Sequence, residues 1–241
     1  ANSGSSSAVL STVDGTAPAN GASAQTLTIS GSAGSASTAE VASGSSAAGF
    51  ATAINLIESS TGVSAKATNV AIMDGLVADG TVSFTLGDGA GNTASVQATV
   101  TTTDLTNLGN AINAVTASTG ISASVSNGTL TMTQAQGRDI EVVSFVNTDA
   151  SGDISLSSTK ADGTKEDTIT LDATAAEVDD SGTVTGFVTF RSSDSFSVSS
   201  EDAESAGSIL EAAANTAATA TQSNLGSVNI SSVSGARDAL D

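Results

Sequence analysis

Apolar residues recur along this chain in two rhythms, a period of two and a helical period, and the helical one is concentrated in the first 150 residues. Thr26 to Ser30 (TLTIS) alternates as a half-buried strand, Gly31 to Gly34 offers a turn, and a second strand is expected near Thr38 to Ala42. Ala47, Phe50, Ile54 and Ile57 then fall at i, i+3, i+7 and i+10, one face of a helix. Ser45 or Ser46 can supply its N-cap oxygen, and Gly62 can take the left-handed conformation that ends it. Val63 to Val70 reads as a returning strand.

The same order is then written again. Phe84 sits in a strand TVSFTL, the turn GDGAGN covers Gly87 to Asn92, and Ser95 to Val100 makes the partner strand. Leu105, Leu108, Ile112 and Val115 form the helix face, with Thr103 or Asp104 as cap and Gly120 as stop. At a fixed offset of 58 residues, Ala53-Ile54-Asn55 matches Ala111-Ile112-Asn113, and Thr61-Gly62-Val63-Ser64-Ala65 matches Thr119-Gly120-Ile121-Ser122-Ala123. Two units are too few for a solenoid, which usually needs three or more. The expected fold class is therefore α+β: two small ββαβ-type modules, each with one helix on a twisted sheet, over 25–76 and 77–150, followed by an antiparallel β-rich domain over 151–224.

In that last domain the helical period is lost. Ile154 and Leu156, Ile169 and Leu171, Val184, Val188 and Phe190, then Phe196 and Val198 mark short strands, and Asp162-Gly163 and Asp180-Ser181-Gly182 supply turns. The Ala-rich Glu201 to Ala220, with Ile209 and Leu210, reads as partly helical and packed across the base of the sheet. Residues 1–24 form a Ser/Gly/Ala-rich lead-in, either flexible or paired as an edge strand. In the closing segment, 225–241, the alternation at Val228 and Ile230 gives way to Gly235, Ala236, Ala239 and Leu240, which begin a helical pattern too short to stand alone.

This closing stretch, LGSVNISSVSGARDALD, resembles the segment where the central region of a bacterial flagellin returns to its long C-terminal helix. The duplicated unit, in which a helix carrying Ala-Ile-Asn is followed by Thr-Gly-Val/Ile-Ser-Ala and a strand, is similar to the insertion motif of flagellins and some hook-associated proteins. It covers about residues 25–145. Ala214 to Ala217 (Ala-Asn-Thr-Ala) is similar to the stretch between flagellin outer domains and core. The resemblance implies the central variable domains of a flagellin, truncated before the C-terminal core helix. It further implies a non-catalytic, extracellular role on the bacterial flagellum in motility, export in an unfolded state, and other flagellin subunits as partners of the full-length protein. Leu225, Val228, Ile230, Ala236, Ala239 and Leu240 are then the residues expected to pack against the filament core. With the shaft helices missing, the fragment is expected to be monomeric, and the immune-receptor recognition of flagellins cannot be carried over to any residue here.

Composition narrows the other classes. Six Lys and Arg face 25 Asp and Glu, a formal net charge of −19, which opposes binding to nucleic acid or an anionic membrane surface. The acids are uneven: residues 1–39 hold only Asp14, and 151–241 hold more than half of them. Six Phe with no Trp or Tyr leave the core to Val, Ile, Leu and Ala, and no run of about 18 apolar residues offers a membrane span.

Histidine and cysteine are absent, which removes the usual base near neutral pH, Ser-His-Asp and Cys-His arrangements, disulfides and thiolate sites. Ser-Lys chemistry at Lys66, Lys160 or Lys165 is formally open, but in so Ser-rich a chain a Ser near a Lys arises by chance. The paired carboxylates Asp179-Asp180, Glu166-Asp167 and Glu201-Asp202 lack the aromatic platform of a glycosidase cleft and read as solvated turn charges. Calcium is the one ion worth weighing, at Gly87 to Asn92 and Asp172 to Asp180. Neither segment has the ligand spacing of an EF-hand or the nonapeptide repeat of a β-roll. No enzyme, cofactor or metal is therefore expected. The alternatives are an extracellular adhesin or glycan-binding surface module, with or without calcium stabilisation, and a hook-associated cap protein, which would share the duplicated units but fits the closing stretch poorly.

Overall fold

The structure, a computed structural model, describes residues 2–3, 5–174, 178–211 and 213–220. The chain opens with β1 (Asn2–Ser3) and β2 (Ser7–Leu10), then makes the hairpin β3 (Leu27–Gly31) and β4 (Gly34–Ser37). Two short helices, α1 (Ala47–Leu56) and α2 (Glu58–Thr61), lead into β5 (Ser64–Asp74). The second hairpin, β6 (Gly80–Gly87) and β7 (Thr93–Val100), is followed by α3 (Thr106–Ala114), α4 (Thr116–Thr119) and the hairpin of β8 (Ile121–Ser126) and β9 (Thr129–Gln134). Then come β10 (Ile140–Asn147), β11 (Ile154–Thr159), β12 (Lys165–Leu171), β13 (Gly182–Thr185), β14 (Phe187–Arg191), β15 (Phe196–Ser200), a 3-10 turn at Glu204–Ala206 and β16 (Ala218–Ala220).

These strands form three sheets, and every pairing among the described residues is antiparallel. The five-stranded sheet runs β2-β13-β10-β6-β7 and the four-stranded sheet β16-β15-β3-β4. The seven-stranded sheet runs β1-β14-β5-β11-β12, with β9 joined to β5 and β8 to β9.

The α+β expectation of two ββαβ modules is overturned. The described chain is mainly antiparallel sheet with short helices, and the duplicated units do not close on themselves. In each unit the hairpin and the strand after its helix belong to different sheets: β3–β4 against β5, and β6–β7 against β8. The two returning strands share one sheet through β9, which pairs Asn69 to Met73 of β5 on one side and all of β8 on the other. Each unit leaves backbone groups and an apolar face open, and the other unit together with the late strands covers them.

Two cores result. Met73, Phe84, Leu86, Leu105, Leu108, Ile112, Phe145 and Leu156 are buried in the first, between α3 and the five- and seven-stranded sheets. Leu27, Ile29, Phe50, Ile54, Val63, Val188, Phe190 and Val198 form the second, where α1 packs on β5 and β14. Strand β5 passes through both, contributing Ala67 to one and Ala71 and Met73 to the other. Where it crosses, Gly186 lies so close that an added Cβ would stand 2.3 Å from the Thr68 carbonyl oxygen.

Of the helix faces expected from spacing, Ala47, Phe50 and Ile54 in α1 and Leu108 and Ile112 in α3 are buried, with Leu105 just before α3, while Ile57 and Val115 are the C-caps and only half-buried. Their caps differ from expectation. Ser46 holds the N-cap position without a side-chain cap bond, and the Ala48 N–H donates instead to the Gly137 carbonyl at 2.9 Å. Asp104 accepts the Thr106 N–H at 2.8 Å, one residue ahead of the N-cap position. The partner of β3 spans Gly34–Ser37, not 38–42, because the reversal is tight and Gly31 pairs directly with Gly34. The Ala-rich stretch 201–220 forms a 3-10 turn and the strand β16 in place of a helix, since Ala218–Ala220 pair with β15. Intrinsic helix propensity yields there to an available sheet edge. The lead-in pairs: β2 is an edge strand on β13, with Ser7 opposite Thr185 and Leu10 opposite Gly182.

Candidate functional site

The six residues expected to pack against a filament core, Leu225, Val228, Ile230, Ala236, Ala239 and Leu240, lie outside the described residues. The duplicated motif, by contrast, is described in both copies, and its geometry explains its spelling. The Asn55 side-chain amide donates to the Ala65 carbonyl at 2.9 Å and accepts the Ala65 N–H at 2.8 Å. Asn113 does the same to Ala123, at 2.8 Å for both bonds. Thr61 and Thr119 accept the N–H two residues on, Val63 and Ile121, each at 3.2 Å, while donating back to Ile57 and Val115. Gly62 and Gly120 take φ of 72° and 70°, the left-handed region that ends a helix without a Cβ penalty. The motif is thus a clasp that turns a helix into a strand, a structural device with no open chemistry.

The acidic residues are used as tethers. The lead-in and the residues just after it, nearly free of carboxylates, supply donors, and carboxylates from far along the chain accept them. Glu166 takes both the Ser6 N–H and hydroxyl at 2.6 Å, Asp139 takes the Asn20 amide at 2.7 Å, Asp202 the Ser23 hydroxyl at 2.6 Å, and Glu201 the Thr26 N–H at 2.9 Å. Sequence reading missed these residues as a set. The signal was the charge asymmetry itself, which marks a donor-rich segment waiting for distant acceptors. Of the pairs expected to be solvated turn charges, Glu166, Glu201 and Asp202 bind the lead-in or the residue just after it, while Asp167 and Glu201 are exposed. Asp180 is buried as well and accepts the Ser181 hydroxyl at 2.6 Å.

The Gly87 to Asn92 turn closes on Asp88, which accepts bonds from the Asn92 amide at 2.8 Å, from the Ala90 and Asn92 N–H groups and from Arg138 at 2.7 Å. Burial works against its charged form, but these bonds outweigh burial and hold the carboxyl below its ordinary value. Glu141 is raised, first by burial and then by the charge of Asp88. Asp139, buried beside them, is pushed up to about 7 by burial, partly offset by the Asn20 bond and aided by Glu141. The oxygens of Asp88 are thus spent on protein donors. Among the described residues no group of three or more carboxylates is arranged to hold a metal ion. In the second segment weighed for calcium, Asp172 accepts the Thr174 N–H at 2.6 Å, and residues 175–177 lie outside the described residues.

Of the lysines weighed for Ser-Lys chemistry, Lys165 is paired with both Asp74 oxygens, at 2.8 and 2.6 Å, and Lys160 with Glu211 at 2.9 Å. Lys66 is exposed on β5. Among the described residues no helix is long and apolar enough to cross a membrane. A cavity of about 360 Å³ lies where the lead-in meets β12, β13 and the loop after the 3-10 turn, lined by Ser5, Ser6, Glu166, Thr185 and Ser208 among others.

No known family matches the sequence, and no curated protein matches it. Among solved structures, the D2-D3 domains of the flagellar cap protein FliD from Escherichia coli are similar over 79% of this chain and 98% of that one, at 14% identity and a TM-score of 0.26. The D1-D2-D3 domains of the same protein are similar over 79% of this chain and 53% of that one, at 15% identity and a TM-score of 0.23. The chain thus has weak structural similarity to domains of a flagellar cap protein, at a level that decides neither its fold nor its activity.

Proposed function

We propose that this chain is the outer, surface-exposed part of a flagellin subunit, with a structural and non-catalytic role in a bacterial flagellar filament outside the cell. The observation that carries the reading is where the two ends of the described fold lie. β1 pairs with β14, β16 pairs with β15, and β1 lies against β16, so the first and last described strands are neighbours. A domain carried on the outside of a shaft needs its chain to leave and return at one place, and neighbouring ends meet that need. The duplicated clasp and the resemblance of 225–241 to the flagellin return segment support the same reading. In it the partners are other flagellin subunits, contacted through the shaft of the whole protein and through Leu225, Val228, Ile230, Ala236, Ala239 and Leu240. The net charge of −19 keeps neighbouring outer surfaces solvated and apart.

Immunogold electron microscopy of the source cells, with antibody raised against residues 5–220, tests it. Label along the whole length of flagellar filaments is the expected result. Label confined to filament tips would replace the filament subunit with a cap protein, and label on the cell envelope with bare filaments would replace both with an adhesin.

A further inference from the structure

The cavity between the lead-in and the late strands holds an unusual pair of atoms. Four buried side-chain atoms among the described residues have no hydrogen-bond partner, and two of them, Glu166 Oε1 and Thr185 Oγ1, belong to residues that line this one cavity. The Glu166 side chain is 10% exposed and Thr185 is 4% exposed. Buried polar atoms are satisfied almost without exception by protein or by something bound. The other Glu166 oxygen is fixed by the Ser6 N–H and hydroxyl, so Oε1 is held in place with its lone pairs unused by any hydrogen bond. The nearest cation to it is Lys160 Nζ at 3.6 Å, which is drawn to Glu211 at 2.9 Å.

We infer that this cavity is a binding site for a neutral, hydroxyl-rich small molecule of the size of a single sugar ring. Its volume, about 360 Å³, falls within the roughly 300–1,000 Å³ of small-molecule sites. An anionic ligand is opposed by Glu166 and by Asp167, which also lines the cavity. A cationic one would have to displace the Lys160 ammonium, which already stands 3.6 Å from Glu166 Oε1. What remains is a ligand whose hydroxyls both donate and accept: one donates to Glu166 Oε1, and a second exchanges a bond with Thr185 Oγ1. Ser7 and Ser205 line the same cavity, and their hydroxyls offer further partners of the same kind. No aromatic ring lines the cavity, so recognition rests on hydrogen bonds, and affinity for one ring is about millimolar. The inference stands apart from the filament reading, since an outer flagellar domain and an adhesin could each carry such a site.

The test is a ¹⁵N–¹H NMR titration of the whole chain with D-glucose, D-galactose and D-mannose separately, up to tens of millimolar. The expected result is saturable shifts, with at least one of the three sugars, in the amides of Ser5 to Ser7, Thr185 and Gly207 to Ile209. Thr185→Val, which removes only the unpaired hydroxyl, and Glu166→Gln should each weaken that binding by about tenfold or more, the worth of one lost hydrogen bond to a ligand. Thr185→Val should keep the melting temperature, which separates lost binding from lost folding. Shifts absent with all three sugars, or equal affinity in wild type and Thr185→Val, would overturn the assignment and leave the cavity to water.

Discussion

Replacing Asp139 with Asn should remove one large part of the pH dependence of stability. Asp139 begins the approach to β10 and is 7% exposed. Its Oδ2 accepts the Asn20 amide at 2.7 Å, and its Oδ1 is buried with no hydrogen-bond partner. Asn20 in turn donates to the Gly44 carbonyl at 3.0 Å and accepts the Ala22 N–H at 3.2 Å, so this carboxyl secures the lead-in to the loop before α1. The charge acting on it is that of Glu141, which raises it further, while Asp88 and Arg138 pair with each other. Burial lifts the Asp139 carboxyl from its ordinary 3.8 to about 7. Between those values the folded chain holds a proton that the unfolded chain has released. The stabilisation is therefore complete below about pH 3.8, falls as pH rises, and is gone once pH passes through about 7. The interval between the two values sets a ceiling of about 4 kcal/mol at about 1.4 kcal/mol per pH unit.

Asn at position 139 keeps an acceptor for Asn20 and places an uncharged amide where the protonated carboxyl would sit. The difference in unfolding free energy, Asp139→Asn minus wild type, should rise steadily between about pH 4.5 and about pH 7.5, by up to about 3–4 kcal/mol, with the variant the more stable above neutrality. Urea denaturation followed by far-UV circular dichroism measures it, since a chain without Trp or Tyr gives no useful intrinsic fluorescence. Subtracting the two proteins cancels the other carboxylates, including Asp88, whose lowered value acts in the opposite sense as pH falls. A difference that stays constant across that range would show that Asp139 ionises like an exposed carboxyl and would refute the burial argument.

Asn55→Ala and Asn113→Ala should each cost about 1 kcal/mol in urea unfolding, because each removes two backbone bonds at an exposed site, and both should cost the same if the two clasps are one device. Gly186→Ala should cost about 3 kcal/mol or more, or abolish folding, because its Cβ would meet the Thr68 carbonyl oxygen at 2.3 Å; a melting temperature within a degree or two of wild type would contradict the crossing of β5 described above. Ile54→Ala and Ile112→Ala, at equivalent fully buried positions of α1 and α3, should each lose about 2–5 kcal/mol by thermal or urea unfolding. Lys165→Met should change stability by less than about 1 kcal/mol despite its two short contacts to Asp74, because the pair is solvent-screened.

What the sequence determined by itself was local. The helical period at Phe50 and Ile54, and again at Leu108 and Ile112, the left-handed glycines 62 and 120, and the alternation of most strands all act within a dozen residues, where side-chain spacing and backbone sterics are enough. The repeated Asn and Thr could be read as a motif, and their reach to Ala65 and Ala123 is equally local. Only the tertiary structure decided which strands pair. Nothing near Ser7 to Leu10 in sequence announces β13, and nothing near Ala218 to Ala220 announces β15. An open strand edge accepts any chain that reaches it, so the partner is chosen by global packing, and in an Ala-rich stretch that choice overrode helix propensity. For the same reason the duplicated units that look self-contained in sequence share their sheets. The cavity and the tethering carboxylates were illegible too, since Glu166 meets Ser6 and Asp139 meets Asn20 only after long loops have closed. Spacing along a chain encodes the turn of a helix; it does not encode a contact that depends on all of the fold between its partners.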